Sequence, residues 1–166
     1  MAFRPTQAYR LTGAAAEVLP LYEQIACLVM AEAFRIPPEA LAAVRVAENG
    51  PAGSEFGVLS LPEIDTYGEE CRVAAESIRN NISRFTAAHG HSPYVGDRLT
   101  LVFFQFMARR WAPPGAANDP GHLNEHWPGN VFTIYRATGI APLGPAPEAP
   151  PAVTPSAAVA PTTARA

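Results

Sequence analysis

Apolar residues recur at helical spacing in five stretches of the chain, which are separated by Pro, Gly and Asn. An apolar residue at every third or fourth position is typical of a helix that packs one side on a core. In the fourth stretch, around Phe104, the apolar residues continue almost all round, which predicts that this helix is central and buried. The predicted helices span residues 14–34, 38–48, 67–88, 98–111 and 128–138.

Local signals set the ends of these helices. Pro20 indicates that regular helix begins near that residue rather than at 14. Ser60, with Glu63 three residues later, resembles a capping box. Asp97 is the expected cap of the fourth helix, and Gly139 is the expected stop of the last one.

The pattern therefore predicts a mainly α fold with one small β-hairpin near residues 50–60. We expect three parts: an N-terminal arm over 1–13, one helical domain over 14–140, and a tail over 141–166. The tail is rich in Ala, Pro and Thr and carries too few bulky apolar residues to fold, which predicts disorder.

Composition narrows the classes of function. The 166-residue chain has a formal net charge of −3, and all its 12 basic residues are Arg, scattered rather than clustered. This distribution argues against a nucleic-acid or membrane-surface protein. No apolar run is long enough for a signal peptide or a membrane span, so we expect synthesis in the cytoplasm without a signal peptide. Cys27 and Cys71 fall on different helices, and two buried free thiols are favoured over a disulfide.

Glu48 is the candidate for chemistry. It ends an apolar helix just before Asn49-Gly50. The negative end of the helix dipole and the apolar neighbours both disfavour the carboxylate, so they raise its pKa. A carboxylic acid that stays protonated near neutral pH can act as a general acid. The alternative is a solvated helix-end residue with no chemical role.

The order of segments around Glu48 resembles the lysozyme-like superfamily, in particular divergent lytic transglycosylases and goose-type lysozymes of phage or mobile-element type. There, a helix ends in the catalytic Glu, and a Gly-hydrophobic-hydrophobic-Gln segment and a Pro-containing helix start follow. The matching stretches here are 44–50 and 56–63, with Ser60 in the place of the Gln and a shorter connection from Glu48 to Gly57. The later Tyr-Asn pair of that family has no counterpart.

The resemblance implies cleavage of the β-1,4 bond between N-acetylmuramic acid and N-acetylglucosamine in peptidoglycan, with Glu48 as general acid and base and with no cofactor. A hydrolase normally needs a second carboxylate. Glu55, Glu63, Asp65 and the more distant Glu32 are candidates, but each is better explained as a surface acid. A lytic transglycosylase that uses one Glu is therefore favoured over a hydrolase.

Five residues are candidates for substrate binding. Gly57 and Ser60 are implied by the resemblance, and Tyr94 lies in a loop before a helix. Asn118 and Trp127 belong to a polar, aromatic stretch that can line a sugar cleft. For Trp127, packing of this loop on the core is the favoured alternative, and Trp111 is also interpreted as core.

The same stretch contains His122 and His126, four residues apart, with Asp119 and Glu125 nearby. The spacing suits a metal site on a helix, but the Pro and Gly residues around both His argue against a helix there. We therefore expect no metal.

The expected partners are peptidoglycan glycan strands, with a virion or secretion assembly as a further candidate, and no nucleic acid or membrane insertion. The expected place of action is the bacterial cell wall, the periplasm or a virion. Two alternatives stay open. One is a structural or glycan-binding protein that kept a lysozyme-like fold without catalysis. The other is a helical DNA- or protein-binding module, suggested by the helix-turn-helix pattern of residues 20–48.

Overall fold

The computed structural model describes residues 9–50, 54–57, 64, 66–116, 119 and 121–143. These residues are mainly helical, as predicted. The helices within them are α1 (Ala14–Val18), α2 (Leu21–Phe34), α3 (Pro38–Glu48), α4 (Tyr67–His89), α5 (Leu101–Trp111) and α6 (Trp127–Ala137), with a short 3-10 helix at Leu123–Glu125. The strands within them are β1 (Tyr9–Gly13), β2 (Tyr94–Val95), β3 (Arg98–Leu99) and β4 (Thr138–Pro142).

Helix α3 has the predicted bounds, because both of its ends are set by local sequence. Pro38 occupies the first turn, where its missing N–H costs nothing. Asn49 takes the left-handed conformation that ends the helix, with φ 45°. Helix α4 also lies where it was predicted, and the Thr66 hydroxyl caps it by accepting the Glu69 N–H at 3.3 Å. The predicted capping pair Ser60 and Glu63 lies outside the described residues.

The start of regular helix near Pro20 is confirmed, since α2 begins at Leu21. Pro20 is extended at ψ 155° and separates α2 from the short helix α1, so residues 14–34 form two helices rather than one. Two other predicted helix ends are wrong. Helix α5 begins at Leu101, because the residues before it pair in the β2–β3 hairpin, and its cap is Thr100 rather than Asp97. Gly139 does not stop the last helix, since the chain turns extended one residue earlier and Gly139 lies within β4.

The sequence pattern does not predict the sheet formed by β1 and β4. The two strands are antiparallel, with Tyr9 opposite Pro142 and Gly13 opposite Thr138. They connect part of the predicted arm and the first residues of the predicted tail to the helical domain. Of the predicted hairpin near residues 50–60, the structure describes Gly50 and 54–57, where Glu55 and Phe56 form a turn.

The buried central helix is α3, so the prediction that α5 is central is wrong. Every residue of α3 from Pro38 to Val44 is buried. Small Ala side chains on α3 let its neighbours approach closely, and it packs against α1, α2, α4, α6 and β4. Helix α5 packs mainly on α4 and α6, so its outer side leaves Val102 55% exposed.

Candidate functional site

Glu48 is held at the end of the most buried helix. The preceding turns of α3 are fixed by the core, and the Asn49 N–H closes the last turn by donating to the Arg45 carbonyl at 3.2 Å. The Glu48 side chain is half-buried. A rigid helix thus presents a carboxyl group at the edge of the core.

The chain then returns towards Glu48 through residues 54–57. The approach is close, since a side-chain carbon on Gly50 would collide with the Ser54 carbonyl oxygen. Phe56 is fully buried and anchors the turn. Its N–H donates to Oε2 of the buried Glu70 on α4 at 2.8 Å. A buried side chain and a buried hydrogen bond therefore fix this turn in place.

Gly57 completes the approach to the carboxyl group. It is exposed, its φ is +67°, and a side-chain carbon there would lie 2.7 Å from Oε2 of Glu48. A non-glycine residue would be strained by the positive φ and would also press on the carboxyl group. As far as the described residues go, glycine at this position therefore leaves open the space beside Oε2.

Two indole groups bind the other oxygen of Glu48. Nε1 of Trp111, at the end of α5, donates to Oε1 at 2.7 Å. Nε1 of Trp127, at the start of α6, donates to the same atom at 2.6 Å. The two rings are stacked, with centroids 6.3 Å apart and planes 25° from parallel. Two N–H donors occupy both lone pairs of Oε1. The proton of the neutral acid is therefore carried by Oε2, the oxygen beside Gly57.

Burial raises the pKa of Glu48, because it penalises the charged form. The hydrogen bonds from Trp127 and Trp111 act in the opposite direction, since they stabilise the carboxylate, but the pKa remains raised. The direction predicted from the sequence is confirmed. A carboxyl group with this environment can donate a proton from Oε2 and accept one back at the same atom.

The candidates for a second carboxylate are not equivalent. Glu63 and Asp65 lie outside the described residues. Glu32 is exposed on α2, sixteen residues before Glu48 and on another helix. Glu55 is 7% exposed and lies in the turn that passes Glu48. Of the described candidates, Glu55 is therefore the one that belongs to the turn next to Glu48.

A further buried acid, Glu23 on α2, is occupied by an ion pair. Its Oε2 lies 2.7 Å from Nε of Arg45, and its Oε1 accepts the Tyr22 hydroxyl at 3.1 Å. Arg45 lies one helical turn before Glu48, so this pair joins α2 to α3 directly behind the site. The pairing gives Glu23 a structural role rather than that of a base.

The structure brings only some of the predicted site residues together. Gly57 lies next to the carboxyl group of Glu48, and Trp127 donates a hydrogen bond to it. Ser60 and Asn118 lie outside the described residues. Trp127 is 6% exposed, so its packing in the core is the interpretation that holds, and its indole N–H reaches the carboxyl group instead. Tyr94 pairs with Leu99 before the start of α5, at the end of that helix opposite Trp111.

The sequence pattern misses two site residues, Trp111 and Glu70. From the sequence, Trp111 is interpreted only as a core residue, because none of its sequence neighbours indicates that its N–H points to Glu48. Glu70 looks like an ordinary acid in the first turn of α4. The sequence does carry one indirect signal for the pair of indoles, since both Trp residues lie at helix ends, which a compact fold can bring together.

The stretch before α6 is arranged by Asp119. Its carboxylate oxygens accept the N–H groups of Leu123 at 2.8 Å and Asn124 at 3.0 Å. The Asn124 amide donates in turn to the Pro113 carbonyl at 3.1 Å, which connects this loop to the end of α5. These bonds set the start of α6 and thereby the position of Trp127.

In this stretch, His122 lies 3.6 Å from Glu125. Within the described part of the chain, no three His, Cys, Asp or Glu side chains lie close enough together to hold a metal ion.

Cys27 and Cys71 are both buried free thiols, as favoured from the sequence, and the Cys27 sulfur lies 3.8 Å from the Tyr67 hydroxyl.

No protein-family model, curated protein or solved structure matches this chain. None of the helices in the described residues is long and apolar enough to cross a membrane.

Proposed function

We propose that this chain is a peptidoglycan-cleaving glycosidase in which Glu48 is the general acid and then the base. The observation that carries the proposal is the asymmetric environment of one carboxyl group. Oε1 is held by two indole donors, and Oε2 lies beside an exposed glycine. This geometry leaves one oxygen free to exchange a proton with a substrate.

In the first step, Oε2 of Glu48 donates its proton to the glycosidic oxygen, and the bond from that oxygen to C1 of the muramic residue breaks. The carboxylate that forms is stabilised by the N–H groups of Trp111 and Trp127, already aimed at Oε1. Hydrogen bonds to a charged acceptor are about twice as strong as those to a neutral one, so they favour the product of proton transfer.

In the second step, Oε2 accepts the proton of the muramic C6 hydroxyl while that oxygen bonds to C1, which gives a 1,6-anhydro product. Attack by water instead would give a reducing end. The route that uses one carboxyl group is supported by the pairing of Glu23, the buried acid directly behind the site, with Arg45, and by the exposure of Glu32 on another helix.

A lysozyme-like fold is part of the proposal. It is supported by a carboxyl group at the end of a buried helix, followed at once by a glycine-containing turn that comes back to it. The partners that follow are glycan strands of the wall, reached from the periplasm or cell surface, or carried to it by a virion or secretion assembly.

The test is clearing of a gel or suspension that contains purified peptidoglycan. We expect wild type to clear it and Glu48→Gln to be inactive while it keeps its fold, because Gln retains an acceptor for both indoles but has no proton to give. Glu32→Gln, at an exposed acid of α2, is the matched control and should stay active. Full activity of Glu48→Gln would reject the role of Glu48.

A further inference from the structure

A second candidate site lies at the opposite end of the α5–α6 pair from Glu48. It is an open cavity of about 530 Å³, which is within the usual size range of small-ligand sites. The β2–β3 hairpin, the start of α5 and the second half of α6 enclose it. Its lining includes Val95, Arg98, Thr100, Leu101, Phe132 and Arg136.

The cavity is positively charged in a chain whose net charge is −3. Among the described residues, two that line it are Arg and none is acidic. Arg136 is exposed, its guanidinium lies 5.8 Å from the centre of the Phe132 ring, and no carboxylate of the described residues lies within ion-pair distance of it. The Arg98 guanidinium makes a long ion pair of 3.4 Å with Glu39 and lies 5.2 Å from the centre of the Tyr135 ring, and its side chain stays 40% exposed.

These groups suit a carboxylate. A guanidinium presents two parallel N–H donors that match the two oxygens of a carboxylate. The start of α5 adds partial positive charge on the same side, since Thr100 and Leu101 line the cavity. Apolar surface lies next to the charges, because Val95 is 74% exposed and Leu101 is 36% exposed. The ligand should therefore combine a carboxylate with small alkyl groups.

We propose that this cavity binds the carboxylate end of a short peptide of the kind that peptidoglycan strands carry. The choice of a wall peptide rests on the proposed glycan-cleaving function. Helix α5 runs from Leu101 at the cavity to Trp111 at Glu48, and its 11 residues span about 15 Å. A glycan strand at Glu48 with a peptide branch can therefore reach both sites. The substrate is then peptide-bearing glycan rather than bare glycan.

The binding test uses the tetrapeptide L-alanyl-γ-D-glutamyl-L-lysyl-D-alanine and its fully amidated form, titrated by calorimetry into the full chain. Because no glycan is present, the result does not depend on cleavage. We expect the free acid to bind, and Arg136→Gln to raise its dissociation constant about tenfold, the effect of losing one charge-assisted contact. Arg84→Gln, at an exposed Arg of α4, is the matched control and should bind like wild type.

Equal binding of the acid and the amidated peptide, an unchanged dissociation constant in Arg136→Gln, or no binding would overturn the peptide site. Inorganic phosphate is titrated in parallel, and binding of phosphate without the peptide would also overturn it. The activity arm compares intact peptidoglycan with glycan stripped of peptides by an amidase. Arg136→Gln should slow cleavage of the intact polymer alone. If the peptide binds but no glycan is cleaved, the proposed function fails and the binding site stands.

Discussion

Replacement of Trp111 by Phe probes how the indoles control Glu48. The change removes the N–H that reaches Oε1 at 2.7 Å but keeps an aromatic ring next to Trp127. Trp111 is half-buried, so the core is disturbed little. Oε1 then keeps a single donor, from Trp127. The lost hydrogen bond stabilises the carboxylate more than the neutral acid, so its removal favours the neutral acid.

The magnitude follows from that difference. A hydrogen bond to a charged group contributes about 1.5–3 kcal/mol, and one to a neutral group about 0.5–1.5 kcal/mol. The carboxylate therefore loses about 1–1.5 kcal/mol more than the acid, and since 1.36 kcal/mol corresponds to one pH unit, its titration moves up by about one pH unit. The sign is upward, because the lost contact lowers the pKa of Glu48 in wild type.

Two measurements check this. The carboxyl carbon of Glu48, assigned by its absence in Glu48→Gln, is followed by NMR from pH 3 to 9 in both proteins. The alkaline limb of the rate of peptidoglycan cleavage is measured over the same range, because the general acid must be protonated. Both should move up together in Trp111→Phe. An unchanged or lower titration would refute the view that the indole stabilises the carboxylate, and a shift in the NMR titration without one in the rate would separate Glu48 from the chemistry.

Three further predictions concern stability and access. Burial raises the pKa of Glu48 in the fold, so its neutral form contributes stability that is complete below the unfolded pKa and is lost as pH rises through the folded pKa. Glu48→Gln should therefore match wild type in melting temperature near pH 4 and exceed it at pH 8. A constant difference in melting temperature would contradict this. Gly57→Ala should lower the cleavage rate at least tenfold while the chain stays folded by circular dichroism, because of the positive φ and the approach to Oε2; wild-type activity would show that the space beside Oε2 is not used. Arg45→Met should lower the free energy of unfolding, measured in urea, by about 3–5 kcal/mol, because it leaves the carboxylate of Glu23 buried without its cation. The double variant Arg45→Met with Glu23→Gln should recover part of this loss. If the losses of the two single variants simply add in the double variant, the ion pair does not contribute to stability.

Sequence alone predicts those parts of the molecule that are determined locally. Helix α3 is predicted with its correct ends because Pro38 and Asn49 act within a few residues of themselves. The direction of the pKa of Glu48 is predicted for a similar reason, since its apolar neighbours on α3 are part of the same segment. The position of α5 in the fold is not predicted correctly, because apolar residues all round a helix do not indicate how many elements pack on it.

The missed features depend on contacts across the chain. The Glu48 carboxyl group meets Trp111 and Trp127 across 63 and 79 residues of sequence. Strands β1 and β4 pair the two ends of the described chain, and β4, a five-residue strand that contains Gly, Ala and Pro, carries no strong local signal. The closing of the 54–57 turn depends on Glu70, whose local sequence explains only a place in the first turn of α4.

The most direct test of the central claim, that Glu48 cleaves glycan by proton transfer, is mass spectrometry of purified peptidoglycan after incubation with wild type and with Glu48→Gln. We expect 1,6-anhydro muropeptides from wild type and none from Glu48→Gln. Products with reducing ends from wild type alone would keep Glu48 as the acid but replace the C6 hydroxyl by water. No products from wild type, or the same products from both proteins, would contradict the claim and favour a protein that binds glycan without cleaving it.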